Sequence, residues 1–252
     1  MRISATIQAR MSSTRLPDKV LKPILGKPML ELQIERIKQS ILIDEVIIAT
    51  TNSPKDDPIE SLAKKLKIPY FRGSENDVLD RIVNTLKKYD VKLHVEFMGD
   101  NPVPDPFIID SIIGLYLKNA DRYDYITNCF KTTYPPGLEV SVYPSNILYD
   151  AEKQVKDSSP LREHVGIHIY QHPERYRIYN IEAPSYFNYP DLHLEVDTQE
   201  DFEVIKAIYE ALYPKNPHFG LSQIIEFISN HKELSEKNRN IPRRWKKYRM
   251  DR

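Results

Sequence analysis

With one cysteine, Cys129, in 252 residues, the chain has no internal disulfide to form, which suits a reducing cytosol. Its simplest role is a small apolar filler. Glycine is scarce as well. Each of the 7 glycines is expected to mark a backbone constraint rather than chance composition. The apolar runs are short, and no charged segment leads into a hydrophobic stretch, which argues against a signal peptide and against integral membrane contact. Net charge is missing too: Lys+Arg and Asp+Glu both number 36, so nothing global draws the chain to nucleic acid or an anionic membrane. There are no repeats and no low-complexity segment. The expectation is a cytoplasmic protein.

What is present fits a folded domain. Apolar residues make up 40% and charged residues 29%, and the length allows one large domain or one domain with an appended lobe. Short β-rich runs alternate with helical periodicity. Ile3 to Ile7 reads as a strand. Met29, Leu30, Leu32, Ile34 and Ile37 recur at helical spacing through Ser40. Val46 to Ala49 is a continuous apolar run, as in a parallel strand buried on both faces, with Thr50 to Ser53 as a polar edge loop. A helix runs from Asp57 and Pro58 to Leu66, with Pro harmless at its start. A third strand spans Ile68 to Phe71, a helix begins near Val78, and a fourth strand spans His94 to Met98. A further helix covers Phe107 to about Leu117, with Asp105 as its cap. Four β/α units by residue 120 make an α/β, doubly wound, mostly parallel sheet the economical fold.

From Tyr125 the pattern changes. Leu138 to Tyr143 alternates with period two, as a half-exposed strand does. Ile167 to Tyr170 and Arg177 to Ile181 read as a strand and a strand extension about His172–Pro173–Glu174. A short strand from His193 ends in Asp197, with Thr198 capping the next helix. Another amphipathic helix covers 220–232. From Lys237 the tail carries eight basic residues against one acid, read as a solvated face, with a flap over anionic substrates as the competing reading.

The chemistry concentrates where strands end. The first strand empties into hydroxyls and cations: Arg10, Ser12, Ser13, Thr14, Arg15 and Lys19. A buried strand ending in a cationic loop is how an open α/β sheet presents a phosphate site; the alternative is an ordinary solvated loop. The fourth strand gives way to Gly99–Asp100–Asn101–Pro102. A carboxylate between a Gly and prolines is a rigid oxygen ligand of the kind Mg²⁺ takes alongside nucleotide phosphates, or else a turn former. Asp77 serves equally as a helix cap. Arg162, beside Glu163 and His164, is either a hydrogen-bonded structural element or, with His164, a binder of an anionic acceptor.

Gln8–Ala9–Arg10–Met11–Ser12–Ser13–Thr14–Arg15–Leu16–Pro17–Asp18–Lys19, followed by Gly26–Lys27–Pro28–Met29–Leu30, resembles the start of the cytidylyltransferases. The likeness is in particular to the branch of spore-coat polysaccharide biosynthesis protein F, related to 3-deoxy-manno-octulosonate and acylneuraminate cytidylyltransferases. It extends in patches to about residue 210. The resemblance implies a Rossmann-like nucleotidyltransferase domain over 1–235, with a small β-rich dimerisation and acceptor extension over about 129–190 and a basic tail over 236–252. By the same resemblance, Gln8, Ala9, Arg10, Ser12, Ser13, Arg15, Lys19 and Asp100 hold CTP, and Arg72, Ser74 and Asp77 lie near cytosine. Arg10, Arg15 and Lys19 act on the phosphates, and Asp100 and Asp197 hold Mg²⁺. Glu139, Arg162 and His164 then face an anionic acceptor, and the middle region makes a homodimer contact. The chain departs from the family pattern at Asp18, where Gly is usual; Asp tolerates a left-handed backbone better than most residues. It departs again at Glu139, Ser141, Glu195 and Gln199. The reading is Mg-dependent transfer of CMP from CTP to a sugar acid or similar acceptor, with release of pyrophosphate. A nucleotide-sugar-dependent glycosyltransferase and a non-catalytic nucleotide-binding protein are the competitors.

Overall fold

A computed structural model of the chain describes residues 2–156 and 159–248. Strand β1 (Ile3–Gln8) is followed by a small hairpin of β2 (Pro23–Ile24) and β3 (Lys27–Pro28), which turns on Leu25 and Gly26 at positive φ. Helix α1 (Met29–Ile37) stops short of Ser40, because the Asp110 carboxylate collects the Ser40 hydroxyl and the Ile41 and Leu42 N–H groups. Strand β4 (Glu45–Thr51) includes Thr50 and Thr51, expected as loop. Both pair with Arg72 and Gly73 of β5 (Tyr70–Gly73), and ladder partners extend a strand beyond its apolar run. Helix α2 (Asp57–Leu66) precedes β5, and α3 (Val78–Lys88), β6 (Leu93–Met98) and α4 (Pro106–Lys118) follow it.

Strands β7 (Tyr125–Thr127), β8 (Ser141–Pro144) and β9 (Ile178–Asn180) complete one sheet in the order β5-β4-β1-β6-β8-β7-β9. All its pairings are parallel except those of β8, which runs against both neighbours. The fold is α/β, a mostly parallel sheet with helices on both sides. Neighbouring residues Ile47 and Ile48 of β4 enter two different apolar clusters, one holding Leu79, Ile82 and Leu148, the other Met29, Ile113 and Ile205. Burial on both faces is why that strand reads as continuously apolar.

Three expectations are corrected. Leu138 to Tyr143 is not half-exposed: its residues are buried or, at Glu139, half-buried, since β8 lies inside the sheet rather than in an outlying lobe. Ile167–Gln171 is helix α6 rather than a strand, packed against α5 (Ser145–Gln154); tertiary packing overrides the β-branched propensity. Within 129–190 the chain adds the internal strand β8, the edge strand β9 and helices α5 and α6 to the main sheet. Residues 193–197 form no strand, and their backbone is held by loops, with Leu194 N–H donating to Pro136 O and Val196 N–H to Asp100 O. Helices α7 (Gln199–Leu212), α8 (Leu221–Asn230) and α9 (Lys232–Asn238) close the domain.

Candidate active site

The chain leaves β1 and β6, adjacent in the sheet, for opposite directions along it, which opens a crevice at their carboxyl ends. Gly99 permits the close approach there: a Cβ would lie 2.8 Å from Gln8 O, and the Gly99 N–H donates to that same oxygen. The cationic loop after β1 is tied down rather than loose. Buried Asp56 accepts the Met11 N–H at 2.7 Å while also holding Thr51 of β4. The Asp18 N–H closes the loop on Met11 O, and Asp18 takes a left-handed backbone (φ 58°), which Asp tolerates better than most residues.

That loop delivers Lys19 into a cage of oxygens. Its Nζ lies 3.1 Å from an Asp100 oxygen, 3.1 Å from an Asp197 oxygen and 2.6 Å from Val196 O, with the side chain 9% exposed. Burial alone would pull the Lys19 pKa down. The two carboxylates outweigh it and hold the pKa above its ordinary value, so the ammonium stays charged at neutral pH. Arg15 pairs with the other Asp197 oxygen at 2.6 Å. Asp197 is steadied in turn by Asp201, which accepts the Asp197 and Thr198 N–H groups in the capping box of α7.

Arg15, Lys19, Asp100 and Asp197 line a cleft of about 280 Å³ together with Gln8, Ala9, Arg10, Ser12, Ser13 and Thr14. Every member of the expected phosphate loop is on its wall. A recess of about 620 Å³ on the outer side of the loop has Lys55 as its one lining cation and holds neither Asp100 nor Asp197. Three charged residues outside the expected phosphate loop and acid pair also line the cleft: Arg81, Glu163 and Arg244. Arg81 is buried, and desolvation aided by the nearby Arg10 charge lowers its pKa to about 10. Its signal was the helical register that puts it one turn after the Asp77 cap.

The remaining expected residues sit elsewhere. Arg72 donates to Thr51 O and Ser53 O and pairs with Asp57 and Glu60, fastening β5 to α2. Ser74 and Asp77 shape the start of α3, where Asp77 caps Asp80 N and its other oxygen takes Arg162 Nε. Arg162 is buried between Asp77 and Glu152. Burial works against its charge, but these two acids keep its pKa raised. Glu139 accepts from Asn101 and from the Gly137 N–H, bracing the residue after Asp100. Among the described residues Arg72, Ser74, Asp77, Glu139, Arg162 and His164 do not line the cleft.

The cytidylyltransferase family model matches residues 5–242. The chain belongs to the cytidylyltransferase family. It is 35% identical over 233 residues to the spore coat polysaccharide biosynthesis protein SpsF of Bacillus subtilis, covering 91% of this chain and 95% of that one. An 8-amino-3,8-dideoxy-manno-octulosonate cytidylyltransferase of Shewanella frigidimarina is 27% identical over 183 residues, 68% of this chain and 75% of that one. Among solved structures, a cytidylyltransferase from Leptospira borgpetersenii superposes with a TM-score of 0.89 at 30% identity, over 96% of this chain and all of that one. The molecule is thus an enzyme of the cytidylyltransferase class.

The Asp100 and Asp197 carboxylates are residues that could hold a hard cation. Both carboxylates reach one point, now held by the Lys19 ammonium, and an all-carboxylate donor set suits a divalent ion that completes its shell with water and phosphate. Among the described residues no group of three or more His, Cys, Asp and Glu forms a closed metal cage. None of the described helices is long and apolar enough to cross a membrane.

Proposed function

We propose that this cytidylyltransferase transfers CMP from CTP to an anionic sugar, a sugar acid or a similar acceptor, in an Mg²⁺-dependent reaction that releases pyrophosphate. The product serves surface polysaccharide or glycan synthesis, and the enzyme works in the cytoplasm as a homodimer. The observation that carries the reading is the Lys19 ammonium between Asp100 and Asp197, which joins three distant stretches of chain at one strand edge.

Arg10, Arg15 and Lys19 face the triphosphate and offset the charge that grows on departing pyrophosphate. An acceptor oxygen attacks the α-phosphorus in line; its bond forms as the bond to the bridging oxygen of pyrophosphate breaks, and the acceptor's proton passes to solvent. Asp100 and Asp197 would hold Mg²⁺, which supplies Lewis acidity at the phosphates. The protein's share is positioning and charge neutralisation rather than proton transfer.

The test is pyrophosphate release from CTP and Mg²⁺ across a panel of sugar acids, sugar phosphates and phosphonates, with products identified by mass spectrometry. At least one sugar acid should support release above CTP alone. Lys19→Met, which removes a preorganised charge, should slow it by about 10²–10³. Asp100→Asn and Asp197→Asn should each change its Mg²⁺ dependence. A panel in which no acceptor stimulates release, or carboxylate variants with unaltered Mg²⁺ dependence, would sink the reading.

A further inference from the structure

Most described basic residues of the tail are exposed, as a solvated face requires, but Arg243 is not. Arg243 is buried, its side chain 0% exposed, and makes a two-pronged contact with Asp201: Nη1 to Oδ2 at 2.9 Å and Nη2 to Oδ1 at 2.7 Å. Burial opposes the charge, yet Asp201 and Glu195 hold the Arg243 pKa up. Two residues on, the Trp245 indole N–H donates to Glu195 Oε1 at 3.0 Å. Asn238, at the end of α9, donates to Asp201 and to His193 O. These contacts form a strap across the segment that carries Asp197. They also account for Glu195, whose carboxylate lies 3.4 Å from Arg243 Nε and 3.2 Å from His193 Nδ1.

Arg244 lies between the two anchored residues. It is exposed, lines the cleft beside Asp100, Asp197 and Lys19, and pairs with no acid among the described residues. The other loop cations that meet the acids, Arg15 and Lys19, are engaged with Asp197. A guanidinium on a doubly anchored backbone, lining a cleft and lacking a carboxylate, is a preorganised fork for an oxyanion. We propose that Arg244 binds an oxyanion of the substrates, a CTP phosphate or the acceptor's carboxylate, and that the Arg243–Asp201 and Trp245–Glu195 contacts deliver it there. This proposal rests on the CMP-transfer reading above.

Trp245 is the chain's one tryptophan, so its emission reports the strap directly. The experiment uses the full chain as wild type, Arg244→Gln and Arg244→Lys. It follows CTP binding by calorimetry, the KM of CTP and of an acceptor found in the panel, and the Trp245 emission maximum as a check that the strap stays docked. Arg244→Gln should keep the wild-type emission maximum and lose about 10- to 100-fold in one oxyanion interaction, the span of a lost hydrogen bond to a charged group. Arg244→Lys, which keeps charge without the fork, should lose less. Weaker CTP binding assigns the contact to phosphate; intact CTP binding with a raised acceptor KM assigns it to the acceptor. Wild-type affinity and both KM values unchanged in Arg244→Gln would overturn the strap proposal alone. A wild-type chain that binds no CTP would overturn the transfer reading and this proposal with it.

Discussion

At the scale of single residues, the burial of charge is selective, and each case is decided by its partners. Lys19 and Arg243 are buried yet stay charged because carboxylates face them. Glu96 of β6 is the opposite case. It is buried and accepts only neutral donors, Tyr143 Oη at 2.7 Å and Gln8 Nε2 at 3.0 Å, so desolvation pushes its pKa from 4.5 to about 7 despite those bonds. The folded state therefore holds a proton that the unfolded chain has already released between those two values, and stability falls as pH rises through that window. Glu96→Gln carries no such proton. It should match wild type near pH 4.5 and exceed it at pH 8 by on the order of 3 kcal/mol, the energy of the cited shift. Urea unfolding at both pH values checks this; equal pH dependence in the two proteins would refute it. Gln8, on the cleft wall, is oriented by this same carboxyl group.

Among elements, the loop after β1 owes its shape to a residue outside it. Asp56 precedes α2 and reads in the sequence as part of a polar connection. Folded, it is 1% exposed and joins Met11 N–H to Thr51 of β4. Asp56→Ala leaves those buried donors unmet at a cost of about 1–3 kcal/mol. Because Asp56 lies behind the loop and not on the cleft wall, the variant should raise the KM of CTP more than it lowers kcat. Steady-state kinetics with a parallel urea titration separate the two effects. Helices α2, α3 and α4 were legible from periodicity and start signals; Asp105 caps as expected, and Asp77 takes the capping alternative. Of the elements that were misread, the stretch at 193–197 gives its backbone bonds to distant loops, and α6 bonds locally but packs against α5; local spacing encodes neither.

Across the whole molecule, the segment from Asn238 to Trp245 packs onto the stretch that carries Asp197. Ending the chain after Pro242 removes Arg243 from the buried Asp201 and Glu195. Stripping one partner from a buried pair is expected to cost about 3–5 kcal/mol. Asp201 is itself desolvated, but Arg243 holds its pKa below the ordinary value. A depressed carboxylate stabilises above its unfolded pKa and loses that contribution as pH falls through the folded one. The gap between full-length and shortened proteins should therefore be widest near neutrality and shrink in acid, as denaturant midpoints across pH will show. A constant gap would mean that the strap holds by packing rather than by charge.

The sequence by itself determined the alternation of strands and helices, the cationic loop Arg10–Lys19, and the two acids at strand and loop ends. Periodicity, caps and turn residues are local, and they act before any long-range contact forms. Only the tertiary structure decided which of these groups meet. It set Lys19 between Asp100 and Asp197, turned Arg72, Ser74, Asp77 and Arg162 to fastening duties, and brought Arg81, Glu163 and Arg244 to the cleft. The physical reason is that a buried charge goes wherever a partner charge or an opening to solvent offsets its desolvation, and that partner lies, for Lys19 and Asp197, 178 residues away along the chain.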